Sequence, residues 1–408
     1  MTTALGLLLV ALAGLLMGSV VWPFKLMRKY QFEHWWFVGM FTGLIVLPWA
    51  ITLLFCPKPI ESISAIPIEA IITGNQFSIG WGIANVLFGI CIVRIGVALS
   101  GAILAGLGVS VGAIMPMVFK GSDIFSDAAA IDSPAGLTVL AGVAVVLVGV
   151  VVASFAGFGR DRVLKKQEST SGGFAGGLIM SIVAGVLSSC IAFVFVYSQG
   201  PIVANLSHIS PGSSIDVTID AKAGKYDVAQ EGTIELAGIG PTAVGGMSAQ
   251  KAADTIKAAY ATGSEPRDVS VRVATGSIAA NVAVWALAML GGAVVNLGYA
   301  VYLMTKNNSW GVLFGNPKEA ALASLIGVGF CASVTLTGTG MLMLGALGAS
   351  VGWGIQQAMQ MTGSQGLGFI SGEWRGVHGR PRIQMYAAIA ILIVAAVIMA
   401  YGNTLATS

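Results

Sequence analysis

AGLTVLAGVAVVLVGVVVASFA, residues 135–156, runs for 22 positions without one charged side chain. The hydrocarbon core of a bilayer takes about 20 apolar residues of helix, and a crossing segment must satisfy its own backbone N–H and C=O groups. The stretch therefore predicts a membrane-spanning helix. Nine further stretches read the same way, at 3–22, 36–56, 72–93, 97–118, 174–198, 276–303, 319–346, 351–372 and 383–403. Charged residues make up only 10% of the 408, and the mean hydropathy is +0.85. The 55 glycines suit membrane helices, which associate where small residues let backbones approach. The fold class expected is an all-α polytopic membrane protein.

Loop charge orients these spans. Loops that follow the odd-numbered spans hold thirteen basic residues, from Lys25, Arg28 and Lys29 through Arg94, Arg160, Arg162, Lys165, Lys166, Lys306 and Lys318 to Arg375, Arg380 and Arg382. The other short loops hold Lys58 and Lys120 beside Glu61, Glu69, Asp123, Asp127 and Asp132. Because Lys and Arg in short loops stay on the cytoplasmic side, both termini and the polar segment 202–275 are expected outside the cytoplasm. The basic cluster follows the first apolar run rather than preceding it, which is the wrong polarity for a cleaved signal, so residues 3–22 read as a retained span. The four cysteines, Cys56, Cys91, Cys190 and Cys331, lie in or beside apolar spans and read as small buried hydrophobes.

Five spans precede the linker 157–173 and five follow it, so the second half enters the membrane with reversed orientation. Residues 95–103 and 347–355 are matching glycine-rich strings at the junctions of spans three and four and of spans eight and nine. The expectation is two inverted five-helix repeats with a substrate site near the midplane at their interface. The domain division is 1–156, first half; 157–173, cytoplasmic linker; 174–201, sixth helix; 202–275, external insert; and 276–408, helices seven to ten.

Ionisable groups within the spans are scarce. Glu33, Arg94 and Glu373 stand at span ends and are the candidates for gating or coupling, against the plainer reading of charges that snorkel to the headgroups. Uncharged polar and aromatic residues are plentiful: Trp22, Trp36, Trp81, Asn85, Asn296, Trp353, Gln356 and Gln360 are the candidate substrate-binding residues. A neutral sugar offers hydroxyls to amides and C–H faces to indoles, whereas an anion would ask for Arg or Lys. Gln356 and Gln360, four apart, share a helix face with Trp353. The competing structural reading is that Trp forms interfacial belts and that Asn or Gln ties helices together.

On these positions the chain resembles the L-rhamnose–proton symporter family of the drug/metabolite transporter superfamily. The stretches that carry the likeness are Pro23-Phe24-Lys25 with Glu33 and Trp36; Leu47-Pro48-Trp49-Ala50; Trp81-Gly82-Ile83 with Asn85, Gly89, Arg94 and Gly96; Gly291-Gly292-Ala293 through Asn296-Leu297-Gly298; and Trp353 with Glu373-Trp374 before Arg380. The resemblance implies two inverted five-helix halves, a central sugar site and alternating access; no cofactor is expected, and the family's name points to the proton as coupling ion. Family members carry histidine in spans eight and nine. Here Gln356 occupies one such place, and an amide does not titrate near neutral pH as an imidazole does.

The insert 202–275 reads as a small α/β module, with strands at 214–219, 232–236 and 268–273 and a helix capped by Ser248 that runs to about Ala261. Its pattern resembles the N-terminal periplasmic domain of polysaccharide export proteins, which implies a periplasmic glycan or an envelope protein as its partner. Eight acids against six bases give it a net charge of −2, which argues against nucleic acid. Two functions follow. The first is a sugar permease of the bacterial inner membrane; the second is an envelope-assembly component that the membrane part anchors. No catalytic cluster supports an enzyme, and His34, His208 and His378 are scattered.

Overall fold

The computed structural model describes residues 2–95, 97–121, 123–164, 174–220, 222–261, 268–273 and 276–407. The first half is built from α1 (Thr2–Ser19), α2 (Phe32–Phe55), α3 (Ile68–Ile95), α4 (Val97–Val118) and α5 (Pro134–Val163). α6 (Gly176–Leu206) leads into the insert, which contains α7 (Ala249–Ala261). The chain returns through α8 (Ile278–Ala288), α9 (Leu290–Lys306), α10 (Pro317–Met343), α11 (Gly348–Ile370) and α12 (Arg380–Thr407).

Every one of the ten expected spans falls on helix. Among the described residues, six helices are long and apolar enough to cross a bilayer, or seven if α8 and α9, bent by 59° at Met289, count as one. The expected spans at 72–93, 97–118 and 351–372 coincide with α3, α4 and α11 but are not among those six. α11 is diluted by Gln356, Gln357, Gln360 and Gln365. Gly96, in the glycine-rich string between α3 and α4, and Lys165 and Lys166 of the linker lie outside the described residues.

Local chemistry explains the helix ends and interruptions. Ser133 accepts from the Gly136 N–H at 3.0 Å and Ser277 from the Ala280 N–H at 3.0 Å, so each caps the helix that follows. α2 widens into a π turn at Phe41–Val46 just before Pro48, and α6 does so at Phe195–Gln199 just before Pro201. Proline has no N–H and its ring crowds the carbonyl four residues back, so a wider turn relieves both. The break at Met289 has a different cause. Asn75 of α3 donates to Leu287 O at 2.8 Å and accepts from the Gly291 N–H at 2.8 Å, while Ser78 Oγ accepts from the Gly292 N–H at 3.0 Å. These bonds satisfy backbone groups that the break would otherwise orphan in an apolar interior.

Packing crosses between the halves. α1 packs on α10 and α11, and α6 packs on α3 and α4; α2 meets α10 and α3 meets α9; α5 runs along α12. Glycines set the α1–α11 separation: a Cβ on Gly14 or Gly18 would overlap the backbone of Gln356, Gln360 or Ser364. This contact fixes where the glutamine face of α11 stands.

Among its described residues the insert has five strands, β1 (Ser214–Ile219), β2 (Lys222–Asp227), β3 (Thr233–Leu236), β4 (Gly240–Ala243) and β5 (Val269–Val273). One antiparallel sheet has the order β2-β1-β5, and β3 pairs with β4. Ser248 Oγ accepts from the Lys251 N–H at 3.3 Å at the start of α7, and Ala252, Ile256 and Tyr260 pack into the insert core with Ile215, Val217, Ile234 and Leu236. β2 and β4 have no counterpart among the expected strands. Lys222-Ala223-Gly224-Lys225 has poor strand propensity, and pairing with β1 overrides it.

Candidate substrate site

A cavity of about 520 Å³ lies where α1, α2, α3, α4, α6, α10 and α11 converge. It begins beside Val21 and the first turns of α2, on the face that carries the basic loops, and ends at Phe195, Thr337 and Trp353. Its walls are aromatic. Phe32 stacks on Trp36 at 5.2 Å, Trp35 meets Trp36 edge-on at 5.4 Å, and Trp81 stacks on Phe330 at 5.9 Å. Trp353 donates its Nε1–H to Gly108 O at 3.0 Å, which locks the ring orientation. Asn85, Ser188, Thr337, Gln356, Gln357 and Gln360 supply the polar atoms. Among the described residues, none that lines the cavity is ionisable.

The amides are not equivalent. Asn85 Nδ2 donates to Asn296 Oδ1 at 3.2 Å, and Asn296, fully buried, donates in turn to Gly292 O at 2.8 Å. Gln356 is 4% exposed; its Nε2 donates to Gln360 Oε1 at 3.3 Å while its Oε1 is buried without a partner. The Trp35 Nε1–H is likewise buried and unpartnered. An orphaned buried acceptor costs about 1–3 kcal/mol and is the atom most improved by a ligand hydroxyl.

Of the eight residues the sequence nominates for substrate binding, Trp36, Trp81, Asn85, Trp353, Gln356 and Gln360 line this cavity. Trp22 does not; it is 43% exposed at the start of a short turn, Trp22–Leu26. Asn296 stands behind the wall as the partner of Asn85. Phe32, Trp35, Phe195 and Phe330 line it without having been singled out, and only Trp35, next to Trp36, carried a signal.

The three gating candidates all lie outside the cavity. Glu33 is buried and accepts from Asn307 Nδ2 at 3.0 Å and Ser309 Oγ at 3.2 Å, which ties the start of α2 to the loop after α9. Beside it, His34 Nδ1 accepts from the Gln31 N–H at 3.0 Å, which leaves Nε2–H to donate to Ser309 O at 3.0 Å. Arg94 ends α3 beside Gly176. Glu373 accepts from Lys25 and, at 3.4 Å, from Arg160 Nη1, while the Arg160 guanidinium sits 5.5 Å above the Trp374 ring. These links join the turn after α1, the end of α5 and the turn after α11. Glu319 accepts from the N–H groups of Arg28, Lys29 and Tyr30 and pins that turn to the start of α10.

Residues 2–209 match the family described as L-rhamnose-proton symport protein. The chain belongs to that family. Residues 203–274 match a second model, polysaccharide biosynthesis/export protein, which begins where α6 ends. The L-rhamnose-proton symporters of Yersinia pestis bv. Antiqua (strain Antiqua) and Yersinia pseudotuberculosis serotype O:1b (strain IP 31758) are each 27% identical to it over 172 residues, 42% of this chain and 48% of those proteins. The chain thus spans about half the length of the relatives it matches. Family membership and the six long apolar helices make it a multi-pass membrane protein of a transporter family, not an enzyme.

Proposed function

We propose that the protein is a permease for a neutral sugar, L-rhamnose or a related monosaccharide, working by alternating access between two inverted five-helix halves. The observation that carries this is the cavity itself: about 520 Å³, free of charge, with stacked indoles and an amide acceptor in want of a donor. Such a lining suits a ligand with apolar C–H faces and hydroxyl edges.

Packing supports the repeat. Number the ten expected spans in order, with α8 and α9 together as the seventh, and exchange each span with the one five places away. The contact of one with eight becomes six with three, one with nine becomes six with four, two with eight becomes seven with three, and four with five becomes nine with ten. All of these occur, and two with seven, four with nine and five with ten pair with their own images. The charge asymmetry of the loops supports a periplasmic insert and termini, with the cavity open toward the cytoplasm. The names of the relatives support the proton as driving ion. Because no ionisable side chain among the described residues lines the cavity, coupling through buried Glu33 at the start of α2 fits best.

The test is a thermal-shift panel of monosaccharides on the purified protein, followed by uptake into vesicles. A ligand that binds only the folded state raises its stability by mass action. A panel in which no monosaccharide shifts the melting temperature or is taken up rejects the proposal. The second reading, an envelope-assembly component, draws on the match of residues 203–274. It is favoured if excision of 209–275 abolishes function; under the permease reading uptake survives. Excision is feasible because the Ser277 N–H donates to Ser207 Oγ at 3.0 Å, so the two ends already touch.

A further inference from the structure

The insert joins the end of α6 without slack, and the described chain resumes at Gly276 against that same helix end. On leaving α6, His208 bridges to Ser248; the Ile209 N–H donates to Met247 O at 2.8 Å, and Ile209 O accepts from the Gly246 N–H at 2.8 Å. Ile209 is buried in the insert core, and Ala204, still on α6, packs against that core. On the return, Gly276 takes φ +60°, and a side chain there would overlap Val203 and Ser207. Ser277 then caps α8 while its own N–H holds Ser207. The insert is thus built as a continuation of the end of α6, against which the start of α8 is held.

Those two helix ends close the cavity on the insert's side. Gln199 Nε2 donates to Asn281 Oδ1 at 2.9 Å, and fully buried Trp285 of α8 meets Phe195 of the cavity floor edge-on at 5.2 Å. Each helix is interrupted at the level of the floor, α6 by its π turn at Phe195–Gln199 and the α8–α9 pair by its 59° break. Beyond the break α9 is held on α3, through Ser78 to the Gly292 N–H and through Asn85 to Asn296. On the insert's side of both interruptions, Gly200–Leu206 packs directly on the insert, and α8 is held to Gly200–Leu206 through Ser277 and Ser207. Hinges sit where helical hydrogen bonding is already interrupted, and packed bodies beyond them move as units.

We propose that the domain 208–273 is a lever on the gate at its own face: it travels with the ends of α6 and α8 each time that gate opens. By reciprocity, whatever holds the domain holds the gate, and substrate must shift the domain by the same free energy. This rests on the alternating-access reading, and the experiment keeps the two apart. In the full chain, with its four cysteines replaced, spin labels at Ile60→Cys and Lys257→Cys report the insert against the loop after α2. Labels at Val163→Cys and Phe314→Cys report the two halves at the basic-loop face. The four positions are exposed. L-rhamnose and the monosaccharides of the thermal panel are titrated in turn. The expected result is that both distance distributions shift with one half-saturation concentration. A shift of the second pair alone overturns the lever and leaves the permease standing; no shift of either pair with any sugar overturns both.

Discussion

Gln356→Leu separates a binding amide from a structural one, because the two roles predict opposite signs. The wild-type side chain keeps Oε1 buried and unpartnered and spends Nε2 on a long 3.3 Å bond to Gln360. Leucine of similar size removes an acceptor whose desolvation costs about 1–3 kcal/mol and a bond worth about 0.5–1 kcal/mol. The ligand-free protein should therefore be as stable as wild type or more stable by about 1 kcal/mol. Sugar binding should weaken: one net hydrogen bond of about 1–1.5 kcal/mol is near tenfold in Kd. The assay is melting of the purified variant with and without sugar, beside uptake in vesicles at matched membrane abundance. A variant that melts lower yet binds sugar with wild-type affinity makes Gln356 a tie between helices, and the argument from the orphan acceptor fails.

Asn85→Ala should lower both uptake and melting temperature, because it strips the donor from fully buried Asn296 Oδ1 at a cost of about 1–3 kcal/mol; unchanged melting would refute that pairing. Glu33→Gln keeps an oxygen acceptor for Asn307 and Ser309, so sugar counterflow should persist while accumulation driven by a pH gradient is lost; wild-type accumulation would remove Glu33 from coupling. Burial, then Lys58 and Lys251 against the opposing pull of Glu61, holds the His208 imidazole below its ordinary range. A depressed histidine favours the docked insert when neutral, so that stability is complete above the unfolded pKa of about 6.5 and drains away as pH falls below it. The protection factors of the Gly246 and Ile209 amides, with the intrinsic pH dependence of exchange divided out, should fall between pH 7.5 and 5 in wild type but not in His208→Gln; equal pH dependence in both would refute this.

The membrane part was legible because burial in lipid leaves so little choice: a charge-free run such as 135–156 has one outcome, α5. The same background makes indoles and amides conspicuous, which is why Trp81, Trp353 and Gln356 could be placed in a cavity before its walls were known. Sequence could not tell Asn85 from Asn296, since the difference lies in which amide faces the cavity and which stands behind it. Nor could it locate the break at Met289. Asn75 and Ser78, over 200 residues earlier, stabilise that break, and nothing in 278–306 alone demands it. Phe330 and Phe195 read as ordinary apolar residues and become wall and floor only through the crossing of α6 and α10 with their neighbours. In the insert, β1, β3 and β5 were readable from alternation, but β2 is a strand only because β1 lies beside it.

The exchange proposed between the halves is broken mainly at one face, and this bears on how each gate opens. The image of α6 is α1, which has no π turn and carries no inserted domain. Holding the basic-loop face are the ion pairs of Glu373 with Lys25 and Arg160, where the Lys25 and Glu373 side chains are 37% and 39% exposed. Pairs that wet contribute about 0–1 kcal/mol and weaken with salt. Closing the insert face are a buried amide pair, a buried indole, and a domain packed on the end of α6, to which α8 is bonded. A buried hydrogen bond broken without replacement costs about 1–3 kcal/mol before any packing is lost. In the proposed cycle the two gates therefore differ in kind: salt should loosen the ion pairs of the basic-loop face and leave the buried contacts of the insert face unchanged. Substrate acts between them, at Gln356 Oε1 and Trp35 Nε1, each short of one hydrogen bond.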